Sequence, residues 1–229
     1  MAGKDDQDIQ EIFKGTGRRH GYDFVEANFF PFKELKSTWH RNRWKVAFRI
    51  SDYMSGCGED VLTDYSDALF RRMVNGERVA YTDSVMCWLK SDEFIEMNRP
   101  LYLERSRNLS LSPEGRYHDL QSAMNGLRDK GLIEDMEDVH LTWTRSANRK
   151  RVGYCSVLMK VIAISSALDS LELPSFVPEY VLYHELVHLE MGRETLSPRH
   201  GREFRRKERL FPLWEEAESW LRRVASQKT

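Results

Sequence analysis

The chain has 229 residues, 41% hydrophobic and 31% charged, with six tryptophans; this is enough apolar material for one large core or two small ones and excludes a disordered chain. A formal net charge of −1 supplies no global field that selects nucleic acid or an anionic membrane. The start, "MAGKDDQDIQ", is acidic where a secretory signal is basic, no apolar run approaches the ~20 residues of a membrane span, and Cys57, Cys87 and Cys155 form no CxxC. The expectation is a soluble, cytoplasmic protein with reduced thiols and no membrane partner.

Residues 1–28 read as a polar, loosely ordered segment, with Phe24 and the following Phe29-Phe30 as docking residues. From about Phe32 to Tyr53 the apolar residues Leu35, Trp39, Val46, Ile50 and Tyr53 recur near a helical spacing. "SGCGED" at Ser55–Asp60 breaks that helix, and a second follows with Val61, Leu62, Tyr65, Leu69 and Met73 on one stripe, stopped by Asn75-Gly76. A third, capped by Asp83 or Ser84, carries Val85, Trp88, Leu89 and Ile95 and ends at Pro100. Residues 29–112 are therefore expected to form a small helical module. "NLSLSPEG" at Asn108–Gly115 has linker composition and sets the boundary to a second domain at 113–229.

In that domain Tyr117, Leu120, Met124 and Leu127 predict a helix closed by Lys130-Gly131. Val139–Thr144 alternates as a half-buried strand, and Val152–Ser165 is β-rich, with a second half apolar on both faces as in an inner strand. A helix over Val177–Met191 follows, with Pro178 in its first turn and Gly192 at C′. Apolar residues cover nearly every face of it, which predicts burial. Leu213, Trp214, Ala217, Trp220, Leu221 and Val224 mark a last helix whose stripe packs into the core. The order of helix, strands, helix and terminal helices is an α+β pattern.

Three of the seven histidines fall within "HELVHLEMGRETLSPRH", His184–His200. At i and i+4, His184 and His188 share a helix face, so their ring nitrogens can converge on one ion. Glu185, one step round the helix, is too divergent to be a ligand of that ion but can reach a water bound to it, the arrangement metal-assisted hydrolysis needs. Two ligands hold zinc poorly. His200 is the third, read in the first turn of a helix with Ser197 at N-cap and Pro198 at N1. Cys155 reads as a small buried cysteine, and Tyr154 as core or as a hydroxyl donor to a transition-state oxyanion.

At these residues the chain resembles the SprT-like zinc metallopeptidases and the related minigluzincin-type zincins. The pieces that carry the resemblance are "HDLQSAMNGLRDKGLI" (His118–Ile133), "LTWTR" (Leu141–Arg145), "RVGYC" (Arg151–Cys155), "VIAIS" (Val161–Ser165), "HELVH" (His184–His188) and "HGREF" (His200–Phe204). They keep the family's order from about Tyr117 onward, and "HGREF" is the most discriminating. The resemblance implies a zincin-like domain of helix, small three-stranded sheet, active-site helix and C-terminal helices, with Zn²⁺ on three histidines, Glu185 as general base and polypeptide substrates. It does not extend to the first 110 or so residues, and the cysteine-rich ribbon common in the family has no counterpart in the spacing of the three cysteines.

The expected function is peptide-bond hydrolysis by Glu185-assisted attack of a zinc-bound water, on a substrate extended along Val152–Ser156. The alternative is a nucleic-acid- or protein-binding module with a weakly active or regulatory zinc site. Basic clusters at His40–Lys45, Arg145–Arg151 and Arg199–Arg209 would serve a nucleic-acid partner, but the balanced net charge favours solvated faces. Sequence leaves the oligomeric state open.

Overall fold

The computed structural model describes residues 5–76, 79–195 and 200–226. Two compact units divide the chain, Met1–Arg105 and Ser106–Thr229.

The first unit is α/β, not helical. It opens with α1 (Asp6–Arg19), whose charged start is a capping box: the Asp5 carboxylate accepts from the amides of Gln7 and Asp8, and Asp8 returns the bond to Asp5. The acidic residues that made this stretch look disordered are its helix start. Strands β1 (Phe24–Phe30), β2 (Ser37–Arg41) and β3 (Lys45–Ser51) then form a sheet in the order β1-β3-β2, with β1 parallel and β2 antiparallel to β3. The expected helix over 32–53 is absent because its apolar spacing ignores Phe48; Val46, Phe48 and Ile50 alternate inward with period two. Asn42 closes the β2–β3 hairpin, its side chain accepting from the amides of Trp44 and Lys45. The free edge of β1 is satisfied by α1: Gln10 bonds Val25 and Ala27, and Asp6 accepts from Phe29.

A single 3-10 turn (Asp52–Met54) leads to α2 (Glu59–Asn75), which buries Leu62, Tyr65, Leu69 and Met73 as the stripe predicts and ends at Gly76. Then come α3 (Asp83–Lys90), with Thr82 rather than Asp83 or Ser84 at the N-cap, and α4 (Asp92–Arg105). The break falls at Ser91, not at Pro100, which α4 carries on its exposed side, where the carbonyl left without an amide partner can be hydrated.

The second unit begins with the presumed linker, which is instead stitched to a strand. Around β4 (His140–Trp143), Ser110 N donates to Trp143 O at 2.8 Å, Arg145 N to Asn108 O at 2.7 Å, and Trp143 Nε1 to Pro113 O at 2.9 Å. Helix α5 (Leu120–Asp129) is capped by Asp119. With β5 (Gly153–Ser156) and β6 (Val161–Ile164), β4 forms a sheet in the order β4-β6-β5, in which β6 is buried at all four positions, as an inner strand should be. A 3-10 turn (Ser166–Leu168) leads to α6 (Phe176–Thr195), then α7 (Arg202–Glu208) and α8 (Trp214–Ser226). Gly192 does not end α6; it is buried within it, where an added Cβ would meet Val157 Cγ2 at 2.6 Å. The α+β class and the zincin-like element order hold for this unit.

The two units share one path: helix, three strands paired 1-3-2 with the first parallel to the third, a 3-10 turn, helix. The likeness is one of topology. Among the described residues no helix is long and apolar enough to cross a membrane.

Candidate metal centre

Helix α6 is apolar on most faces, and Val181, Leu182, Leu186, Val187 and Leu189 fix it in the core of the second unit. That burial aims His184, Glu185 and His188 at β5. Glu185 and His188 are 6% and 7% exposed; groups this dry need partners. His200 arrives from the other side, just ahead of Gly201, the N-cap of α7. It therefore sits before the helix, not in its first turn, and the expected caps Ser197 and Pro198 lie outside the described residues.

Short α7 is held on α6 by four polar contacts among the described residues: Tyr183 Oη donates to Lys207 O at 2.6 Å, Tyr180 Oη donates to Glu208 Oε1 at 3.1 Å, Lys207 pairs with Glu190, and His184 Nδ1 lies 2.7 Å from Glu208 Oε1. The result is convergence. One ligand atom from each of His184, His188 and His200 lies within 4.8 Å of the others, and the Nε2 atoms of His184 and His200 are 3.4 Å apart. Phe204 floors all three rings, at 5.0, 4.3 and 4.7 Å from their centroids. The remaining histidines lie elsewhere: His20 on Asp67 at 2.8 Å, His118 on Ser170 O, His140 on β4 and His40 exposed on β2.

Electrostatics separate the three members of the motif. Burial opposes a charge on His184, but the hydrogen bond and charge of Glu208 outweigh it and raise its pKa. Burial, then the neighbouring His184 and His200, lowers that of His188 to about 4, so this imidazole is neutral with its lone pair available. Burial raises the Glu185 carboxyl to about 7, against the opposing pull of His184 and Arg151. Glu208 is held below the usual carboxylate range, chiefly by its hydrogen bond to His184.

The donor set fits a metal ion. His188 has a buried Nδ1 with no hydrogen-bond partner among the described residues, and His184 spends Nδ1 on Glu208 while turning Nε2 toward His200. Among the described residues this is the one group of three His, Cys, Asp or Glu side chains placed to share an ion.

The three histidines open onto a cleft of ≈ 290 Å³ lined also by Arg151, Gly153, Tyr154, Cys155 and Glu185. Gly153 is there from need: a Cβ at this position would stand 2.5 Å from Glu185 Oε1. Its strand neighbour Cys155 faces the same way, and burial followed by the charge of Glu185 pushes its thiol pKa up, so it is no nucleophile. Tyr154 lines the cleft beneath Arg151, whose guanidinium lies 5.2 Å from its ring centroid, but by strand alternation it leaves β5 on the face opposite Gly153 and Cys155. Sequence reasoning missed Arg151, Phe204 as the floor, and Glu208. Only Phe204 left a signal, its i+4 spacing from His200.

A family model described as YgjP-like, metallopeptidase domain, matches residues 136–224, which span β4 to α8 and include all three histidines. No curated protein and no solved structure matches the chain. The family match lies within the second unit, over the stretch that carries HELVH and HGREF, and supports the resemblance of that unit to the SprT-like metallopeptidases.

Proposed function

We propose that the second unit is a zinc-dependent endopeptidase acting on extended polypeptide segments. The observation that carries this reading is the convergence of His184, His188 and His200 on one cleft beside the buried carboxylate of Glu185. Three imidazoles with room for a fourth ligand suit zinc better than harder ions. Bound zinc supplies Lewis acidity to the scissile carbonyl and lowers the pKa of a water toward roughly 7.

The protein's own groups do the rest. Glu185 takes a proton from the water as its oxygen attacks the carbonyl carbon, and returns that proton to the amine nitrogen as the C–N bond breaks. Among the described residues β5 is an edge strand, paired with β6 on one side only, and it lines the cleft. Its free edge supports a substrate laid alongside as an added strand, held by main-chain hydrogen bonds.

Glu185→Gln tests the assignment, because it keeps the side chain's shape and removes its basicity. Zinc stoichiometry and casein cleavage are measured on one preparation. Zinc retained with cleavage lowered by at least roughly 10²-fold is expected; zinc retained with cleavage unchanged removes Glu185 from the mechanism. A zinc-loaded wild type that cleaves nothing favours the binding-module reading.

A further inference from the structure

The sheet of the first unit has one covered face and one open face. Val25, Ala27, Val46, Phe48 and Ile50 point inward and are buried, with Phe48 against Phe13 and Phe70. Alternation then sends Phe24, Glu26, Asn28 and Phe30 of β1, Lys45, Ala47 and Arg49 of β3, and Thr38 and His40 of β2 to the other side. That side is wet: Phe24 is 66% exposed and Phe30 40%; in the adjoining β2–β3 turn Trp44 is 61% exposed. The equivalent inner strand of the second unit, β6, is apolar and buried on both faces. The same topology thus hides its central strand in one unit and shows a cationic one in the other.

Aromatic rings on and beside this face already have cations against them. The Arg49 guanidinium lies 5.4 Å from the Phe30 ring centroid, that of Arg43 lies 4.9 Å from Trp44, and Lys36 Nζ lies 5.5 Å from Phe32, which in turn packs on Phe30 at 4.8 Å. From Asp23 to Ser51 six Lys and Arg stand against three Asp and Glu, in a chain of net charge −1. One of those acids is spent on Lys45, whose Nζ is 2.6 Å from Glu26. Arg41, Arg43 and Arg49 take part in no ion pair among the described residues. The near-neutral total conceals this local excess.

We propose that this open face is a platform for single-stranded nucleic acid, with Arg43, Arg49 and Lys36 at phosphates and Phe24, Phe30 and Trp44 stacked on bases. Exposed rings flanked by guanidinium groups that have no carboxylate partner among the described residues match a polyanion that carries flat, unstacked bases. A duplex hides its bases in the stack and leaves those rings idle. An acidic peptide offers charge without planar groups. The proposal is independent of the metal centre.

The test is fluorescence anisotropy of the full chain with labelled 15-mers, oligo-dT and oligo-U, against a salt series. Binding that weakens with salt is expected, and the two oligomers show whether DNA or RNA is preferred. Arg43→Ala and Arg49→Ala should each weaken binding several-fold and lower the salt slope by about one. Trp44→Ala and Phe24→Ala, both at exposed positions, should each cost roughly tenfold with little change in slope. Zinc content should stay at the wild-type level in all four, and His188→Ala should bind the oligomers normally. The proposal is overturned by no binding at low salt, by a duplex binding as tightly, by polyglutamate competing equally, or by affinity unchanged in these variants.

Discussion

Glu208 stands on α7, eight residues beyond the last histidine, and its Oε1 lies 2.7 Å from His184 Nδ1 and 3.1 Å from the Tyr180 hydroxyl. A carboxylate so placed holds the imidazole with Nδ1 protonated and Nε2 free for a metal, and makes that nitrogen a stronger donor. Glu208→Gln keeps the size of the side chain and removes its charge. Zinc affinity, measured by competition with a chromogenic chelator, is expected to fall roughly 10–100-fold. An unchanged affinity would show that His184 is oriented by packing alone, chiefly by Phe204. No spacing rule joins Glu208 to the histidines, because the contact depends on how α7 lies on α6. By contrast, the face shared by His184 and His188 follows from helical geometry and was legible in five residues.

At the level of elements, the sequence spoke clearly where one period dominated. The stripe of α2 and the all-apolar β6 could be read directly. It misled where two periods overlapped: Trp39, Val46 and Ile50 mimic a helix, although Phe48 between them belongs to the same buried face. It misled again at Gly192, because a glycine that ends a helix and a glycine that lets a helix touch a loop look alike in one dimension. The distinction can be measured. Gly192→Ala puts a methyl group 2.6 Å from the branched side chain of Val157 and should destabilise the second unit by about 1–3 kcal/mol. Gly126→Ala in α5 meets nothing within 4 Å and should stabilise it by about 0.5–1 kcal/mol. Chemical denaturation of the two variants beside the wild type checks both signs; a gain for Gly192→Ala would contradict the close packing of α6 on the β5–β6 turn.

For the whole molecule, the boundary between units was displaced because "NLSLSPEG" has the composition of a linker but the hydrogen bonds of a sheet edge. Its amides and carbonyls complete β4, so composition reported polarity correctly and solvation wrongly. A fragment beginning at Ser106 should therefore fold and load zinc, whereas one beginning at Arg116 strips the β4 edge and should be less stable by several kcal/mol, through the loss of buried hydrogen bonds. Thermal unfolding and zinc content of the two fragments decide this; equal stability would restore the linker reading. The first unit lay outside what motifs could reveal, since it carries the same path of elements without a histidine cluster.

The free edge of β5 beside the histidines has a consequence for substrate choice. A strand that recruits its partner through backbone amides can engage only a chain whose own amides are unengaged. Folded proteins keep theirs occupied, so under the proposed activity the cleft discriminates by the conformational state of its target before it reads any side chain. Turnover of a native protein is then governed by how often a segment of that protein opens, and the enzyme functions as a sensor of local unfolding.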